Sequence, residues 1–528
     1  MAKKKRRKGK KKKVIFQAIS DKEALLLERE KGKKPSHKRQ KKIALYLVPL
    51  FVILIFVFLF SFLSKTKYKV RKDGHLNLVL ITLDTTRADK IGCYGYEKAR
   101  TPNLDLLAAK GVRFSDAYCQ VPLTLPSHCS ILTGTYPIYH KVRNNGSYYL
   151  SHRHVTLAEI LKERGYKTAA FVSSFTVDSR FGLDQGFEEY DDNFQEDEVM
   201  KRLRSERRAE KVYSSFSDWV DKNDEQKFFC WVHFYDPHLP YDPPSPFKEE
   251  FLDNPYDGEI AYMDHYLGKL IDKLEEKGKL DNTLIVIAGD HGEALGERGE
   301  LDHGFFIYDN TLKVPFILYC EKNIPQGKVI HSRVRLIDIM ATVLEMLEIP
   351  VNKEIQGANL LKYIGGEGKD DLPSYVETYY PREMCHWSEL IGLIDREWKY
   401  IQAPKEELYN IKRDPGEEKN LIDKEKKIAS AMKERLKDII KDYSSEIAVG
   451  KKKLTLEEQE RLRSLGYVGT EFSGEISKGD LPDPKDKIDE CQIIFQAQMY
   501  EFQRNYQKAI ELYNEIGSSD FSVGTRVI

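Results

Sequence analysis

A chain of 528 residues, 41% hydrophobic and 32% charged, is long enough for one large domain with appendages, and seven scattered cysteines exclude a disulfide framework. The net charge of +1 is uneven: residues 1–42 hold 19 Lys and Arg against 4 Asp and Glu, or +15, which leaves −14 on the rest. A segment of that composition buries no core, so 1–42 is expected as a basic tail without a fold of its own.

Residues 43–63, "IALYLVPLFVILIFVFLFSFL", carry no charge over 21 positions. About 20 apolar residues span a bilayer as a helix. A cleavable leader would have a shorter apolar run and a small-residue cleavage site, and no clear one follows. Lys and Arg dominate before the run, which orients it with the N-terminus in the cytoplasm. The expectation is a single-pass anchor in the cytoplasmic membrane, with everything after Lys65 periplasmic or extracellular. The bilayer accounts for the basic run, so no nucleic acid is expected as a partner.

After a short tether, strand-like and helical patterns alternate. "LNLVLITLD" (76–84), "KTAAFVSS" (167–174), "FFCWVHFYD" (228–236), "TLIVIAGD" (283–290) and "VPFILYC" (314–320) read as buried strands. "TPNLDLLAAKG", "VTLAEILKERG", "RRAEKVYSSFSDWVDK" and "GEIAYMDHYLGKLIDKLEEKG" between them have helical periodicity. The alternation predicts an α/β domain over 75–424, a mostly parallel sheet flanked by helices. "SYVETYY", "LIGLIDREWKYIQA" and "ELYNIKRDPGEEKNL" add a small C-terminal α+β subdomain. Residues 425–482 read as a charged helical linker, with mostly solvated faces up to 465. The final pair, 485–502 and 505–516, has a second helix, "NYQKAIELYNEI", that resembles the second helix of a tetratricopeptide repeat. One such unit cannot bury its own face, so it is expected either to pack on the catalytic domain or to be the start of a truncated array with a protein partner.

Open parallel sheets bind ligands at the carboxyl ends of their strands, and three of these strands end in Asp: Asp84, Asp236 and Asp290. "VHFYDPHLPY" adds His233 and His238; "IAGDHGEALGERGELDHG" adds His291 and His303. An Asp and a His side by side between glycines at a strand end allow close approach to a metal. The mixed donor set favours Mn²⁺ or Zn²⁺, with Ca²⁺ and Mg²⁺ as alternatives. In "VPLTLPSHCSILTG", prolines flank Thr124, Ser127 is a candidate N-cap and Gly134 a candidate stop. Thr124 is either a nucleophile at a helix N-terminus, where an anionic ester would be favoured, or an ordinary residue of a capped turn.

Taken together, "LITLDTTRAD", "TPNLDLLAAKGVRF", "TLPSHCSILTG", "TLAEILKERGYKTA", "DPHLPY", "GDHGE", "YDNTLKVP" and "LYNIKRDPGEEKNL" resemble, in order, the sulfatase family of the alkaline-phosphatase superfamily, from about Asn77 to Leu421. The resemblance implies an alkaline-phosphatase-like fold with Asp84, Asp290, His291 and Thr124 around a divalent metal. It implies Thr124 as nucleophile, and His238 and His303 against the substrate or its leaving group. Asp236, His238 and His303 form a lesser candidate for a second metal site. Arg87, His128 and Arg143 are candidate contacts to the substrate anion.

Departures from the family pattern bear on substrate. Family sulfatases carry Cys or Ser, oxidised to formylglycine, where this chain has Thr124, a secondary alcohol that cannot give that aldehyde. His128 stands where an Arg is usual, Thr85 where a second Asp is, and "FVSSFTV" replaces a Lys-Trp-His segment. In its Thr nucleophile the chain is similar to the phosphodiesterase, nucleotide-pyrophosphatase and lipid-headgroup transferase branches. The reading is a membrane-anchored, metal-dependent hydrolase or transferase of phosphate mono- or diesters working through Thr124. The alternatives are a sulfuric-ester hydrolase acting without formylglycine, and a non-catalytic membrane protein that binds through its repeat region.

Overall fold

The computed structural model describes residues 70–194, 196–197, 202–203, 205–223, 225–467, 481–490, 493, 496–497, 500 and 505–518. The chain divides into two units, Met1–Lys67 and Tyr68–Ile528. The basic tail and the apolar 43–63 run belong to the first and lie outside the described residues. Among the described residues no helix is long and apolar enough to cross a membrane.

The second unit is built on a nine-stranded sheet. From one edge its order is Lys328–Ile330, Val112–Tyr118, Lys313–Tyr319, Thr283–Gly289, Asn77–Leu83, Phe228–Phe234, Lys167–Phe171 and Glu189–Asp191, with Val334–Arg335 also paired to Val112–Tyr118. Lys313–Tyr319 runs antiparallel to both neighbours, and the other pairings are parallel. The central strands "NLVLITL", "FFCWVHF" and "TLIVIAG" are buried throughout. Continuous apolar runs of this kind are what a sheet covered on both faces requires.

Alternate residues divide between two cores. Val79, Ile81, Leu83, Val232 and Ile287 pack with helices Pro102–Lys110, Ala209–Lys222 and Pro255–Glu276 through Leu104, Phe216 and Leu267. Leu78, Leu80, Trp231 and Val286 pack on the other face with Thr124–Thr133, Leu157–Glu163 and Asp338–Met346 through Ile131, Leu161 and Val343.

The C-terminal subdomain is a four-stranded antiparallel sheet of Ser374–Thr378, Leu390–Asp395, Trp398–Gln402 and Glu407–Asn410. Helix Lys426–Tyr443 covers it through Ala429, Met432 and Leu436. A buried ion triad ties the subdomain to the main sheet: Lys399 Nζ lies 3.0 Å from Asp309 Oδ1 and 2.7 Å from Glu417 Oε1. The motifs "YDNTLKVP" and "RDPGEE" meet here, so their acidic residues hold two layers together.

Residues 444–467 differ from the expected solvated linker. Helix Leu456–Ser464 and the turn after it bury Leu462, Leu465 and Tyr467 in the main core, because the helix carries an apolar edge within a charged sequence. Of the repeat-like pair, 485–502 is described only in part; the second helix is Tyr506–Ser518.

Candidate active site

Sheet register assembles the site. Leu83 pairs with Gly289 on one side and with Phe234 on the other, so the residues that follow, Asp84 and Asp290, emerge at the same level from adjacent parallel strands. His291 comes next along the chain. One ligand atom from each of Asp84, Asp290 and His291 lies within 4.8 Å of the others, the candidate metal group among the described residues. All three are fully buried. Gly292 permits the tight turn behind them: a Cβ there would fall 2.1 Å from the Asn310 carbonyl oxygen.

The hydrogen bonds around these groups decide which atoms face inward. His291 Nδ1 lies 2.9 Å from the Gly292 carbonyl, which can only accept, so Nδ1 carries the proton and the Nε2 lone pair is left over. That Nε2 lies 3.7 Å from Asp84 Oδ1, 3.5 Å from Asp290 Oδ2 and 3.4 Å from Thr124 Oγ1. Asp84 Oδ1 and Asp290 Oδ2 are buried with no hydrogen-bond partner, while Asp290 Oδ1 accepts from the Thr85 and His291 N–H groups. Burial pushes both carboxyls above the ordinary range, and the charge of Asp84 raises Asp290 further. Two carboxylate oxygens and an imidazole lone pair, with the Thr124 hydroxyl beside them, make a donor set that suits a divalent cation.

His233 fixes Asp84 from behind. Its Nδ1 accepts from the Ser173 N–H at 3.3 Å, so its Nε2–H donates to Asp84 Oδ2 at 3.0 Å. Thr85, in place of a second acidic ligand, turns away: its hydroxyl donates to the Pro237 carbonyl.

Thr124 is the first residue of helix Thr124–Thr133, with Leu123 as N-cap and Gly134 closing the helix in the left-handed conformation. Ser127 is therefore not the N-cap; its hydroxyl donates to the Asp290 carbonyl at 2.6 Å and stitches the helix to the metal-ligand turn. The Thr124 hydroxyl is buried beside His291. His238 and His303 stand opposite, their ring centroids 5.2 Å apart. His238 donates Nδ1–H to the Leu239 carbonyl at 2.8 Å, and His303 Nδ1 lies 3.2 Å from Glu293 Oε1. Both rings thus present Nε2 to the same point.

That point holds a residue sequence reasoning missed. The Tyr467 hydroxyl lies 3.3 Å from Thr124 Oγ1, 3.3 Å from His238 Nε2 and 3.0 Å from His303 Nε2. A local signal for it exists in "TLEEQERLRSLGY". Thr455 and Glu458 form a capping box, and Gly466 at φ +88° closes the helix. The Gly466 N–H donates to Arg463 O and the Tyr467 N–H to Leu462 O, the two bonds of a Schellman turn. The turn aims Tyr467 inward.

The other expected contacts are engaged elsewhere. Both Asp236 oxygens accept from the Ala209 N–H, at 3.1 and 3.0 Å, at the start of helix Ala209–Lys222, so Asp236 does not join His238 and His303 in a second metal site. Arg87 is paired with Asp89 and Glu297 at 2.8 and 2.7 Å. Arg143 stacks on Tyr379 and lies 3.4 Å from Glu377. His128 is fully buried, with Nδ1 2.8 Å from the Thr124 carbonyl and Nε2 2.9 Å from Thr82 Oγ1. Expected as contacts to the substrate anion, these three instead hold the framework: each polar head already has a partner.

A mostly parallel sheet with Asp, Asp, His and a helix-borne hydroxyl at its carboxyl edge defines an alkaline-phosphatase-like hydrolase. Residues 76–349, more than half of the chain, match the Sulfatase family, and residues 296–442 match the C-terminal region of N-sulphoglucosamine sulphohydrolase. The chain belongs to the sulfatase family. Among curated relatives, an arylsulfatase of Clostridium perfringens is 25% identical over 436 residues, covering 65% of this chain and 90% of its own. An N-acetylglucosamine-6-O-sulfatase of Bacteroides thetaiotaomicron is 24% identical, covering 65% of this chain and 82% of its own. Among solved structures, a phosphonate monoester hydrolase of Agrobacterium radiobacter superposes with a TM-score of 0.61 at 19% identity, over 72% of this chain and all of its own.

Proposed function

We propose that the protein is a metal-dependent ester hydrolase that cleaves phosphate or phosphonate esters through a covalent intermediate on Thr124. The observation that carries this reading is the convergence of Asp84 Oδ1, Asp290 Oδ2, His291 Nε2 and Thr124 Oγ1 in one buried group. A divalent cation, with Mn²⁺ or Zn²⁺ favoured by the donor set, fits this group. When bound it supplies the charge that keeps both carboxylates ionised and makes a hydroxyl beside it more acidic.

The chain's own residues supply the rest. Thr124 Oγ1 attacks phosphorus and gives up its proton, the bond to the leaving oxygen breaks, and Nε2 of His238 or His303 passes that proton on to the leaving oxygen. Water then releases the phosphoryl group from Thr124, or an acceptor alcohol takes it in a transfer reaction. Phosphorus is favoured over sulfur because a threonine cannot become the aldehyde that family sulfatases use.

The second reading is a sulfate-ester hydrolase that works through the Thr124 hydroxyl; the sulfatase names of the curated relatives favour it. The apolar 43–63 run suits an anchor that holds this chemistry outside the cytoplasmic membrane, and the 505–516 repeat-like segment suits a protein partner. Hydrolysis of 4-nitrophenyl phosphate, bis(4-nitrophenyl) phosphate, 4-nitrophenyl phenylphosphonate and 4-nitrophenyl sulfate, each with Mn²⁺, Zn²⁺, Mg²⁺ or Ca²⁺, tests the reading. Turnover of a phosphorus ester that exceeds the sulfate ester at least tenfold is expected. The reverse preference installs the second reading.

A further inference from the structure

Residues 444–467 lie beyond both matched regions, which end at 349 and 442, yet they reach the centre of the site. The segment is fastened along its whole length. Ser445 donates to the Tyr139 carbonyl at 2.5 Å, the Tyr149 N–H to Gly450 O at 3.0 Å, and the Lys452 N–H to Ser147 O at 3.0 Å. Glu458 binds Arg180 and Lys452, both at 3.0 Å, and Ser464 meets Ser205 at 2.7 Å. Leu462 packs so closely on Gly146 that a Cβ there would fall 2.3 Å from it. These contacts, with the turn that closes helix Leu456–Ser464, hold Tyr467 at the site.

We propose that Tyr467 is a catalytic residue that relays the Thr124 proton to His303. The inference rests on Thr124 as nucleophile and names the route its proton takes. The Tyr467 hydroxyl bridges the nucleophile and the two imidazoles, and a hydroxyl can accept one proton while donating another. His303 is the receiving ring because its Nε2 is the nearer, at 3.0 Å against 3.3 Å for His238 Nε2.

The step balances. As the Thr124 Oγ1–phosphorus bond forms, the hydroxyl proton passes to the Tyr467 oxygen, and the original Tyr467 proton passes to His303 Nε2. The ester bond breaks with its electron pair on the leaving oxygen. The imidazolium returns its proton to that oxygen, and Tyr467 and His303 end as they began.

The test compares kcat and KM of the full chain with those of Tyr467→Phe, which keeps the ring and removes only the hydroxyl. Two metal-loaded assays are used, one ester with a 4-nitrophenol leaving group and one with a simple alkyl alcohol. The relay predicts a fall in kcat on the order of 10²-fold for the alkyl ester, a smaller fall for the nitrophenyl ester, and little change in KM or melting temperature. Equal losses on both esters, or no loss, overturn it. A rise in kcat/KM also overturns it and identifies the phenol as a plug. Thr124→Ala run in parallel separates the two layers. If Thr124→Ala is inactive while Tyr467→Phe is fully active, only the relay fails; if Thr124→Ala turns over normally, the nucleophile fails and takes the relay with it.

Discussion

Asp84 and Asp290 are two buried carboxyl groups side by side, and one oxygen of each has no hydrogen-bond donor. Burial lifts both above the ordinary carboxyl range, and a positive charge between them would let both ionise. The metal content of purified variants reads this directly. Asp290→Asn and His291→Ala should lose the bound divalent ion and the activity together, and full metal content in both would show that "GDHGE" is only a turn. His233→Ala is the subtler change. It removes the donor on Asp84 Oδ2 but no ligand, so metal affinity should weaken about 10- to 100-fold without vanishing. The grouping of Asp84, Asp290 and His291 was legible in the sequence because strand ends and motif glycines mark it. His233 carried no such mark: it lies within a continuous apolar strand, and only the pairing of Thr82 with His233 brings its ring to Asp84. Sequence could not show that carboxylates stand beside the two guanidinium groups, Asp89 and Glu297 at Arg87 and Glu377 at Arg143.

The helix Leu456–Ser464 shows how a charged sequence hides a structural element. Glu and Arg dominate it, so its composition reads as solvated, while Leu462 and Leu465 bury one edge and the caps at each end fix its length. The central strands were easier to read, because seven buried and mostly apolar residues in a row leave few alternatives. Val112–Tyr118 was missed because Arg113, Ser115 and Asp116 interrupt its apolar run, with a register shift between Phe114 and Ala117. The strap makes a prediction about pH. Burial alone would raise the Glu458 carboxyl, but the Thr455 N–H, Lys452 and Arg180 outweigh it and hold it at about 2. A group depressed below its ordinary value of 4.5 stabilises the fold fully above that pH and loses its contribution as the pH falls towards 2. Glu458→Gln should therefore be less stable than the parent at pH 6, and the gap in denaturant midpoint should narrow on acidification from pH 4.5. A gap that stays constant with pH would mean the carboxylate charge does not hold the strap.

The molecule as a whole depends on how its two sheets are joined. Lys399 has no solvent exposure and carries the only positive charge of the triad with Asp309 and Glu417. Replacing it by Met leaves two buried carboxylates facing each other and should cost about 3–5 kcal/mol in denaturant unfolding. A loss under 1 kcal/mol would show that the sheets are joined by apolar contact alone. The junction matters to the chemistry because helix Lys426–Tyr443 of the subdomain leads into the strap that carries Tyr467 into the catalytic sheet's edge. Sheet register, helix, the 444–467 segment and ion triad all converge on the Thr124 hydroxyl, the proposed nucleophile. The most direct measurement is acid quenching of the metal-loaded protein during turnover of a 4-nitrophenyl phosphorus ester, followed by mass spectrometry of the peptide containing residues 121–134. The predicted result is a phosphoryl-type adduct on Thr124 that appears with substrate and is absent from Thr124→Ala. An unmodified Thr124 peptide throughout steady turnover, with Thr124→Ala as active as the parent, would contradict it.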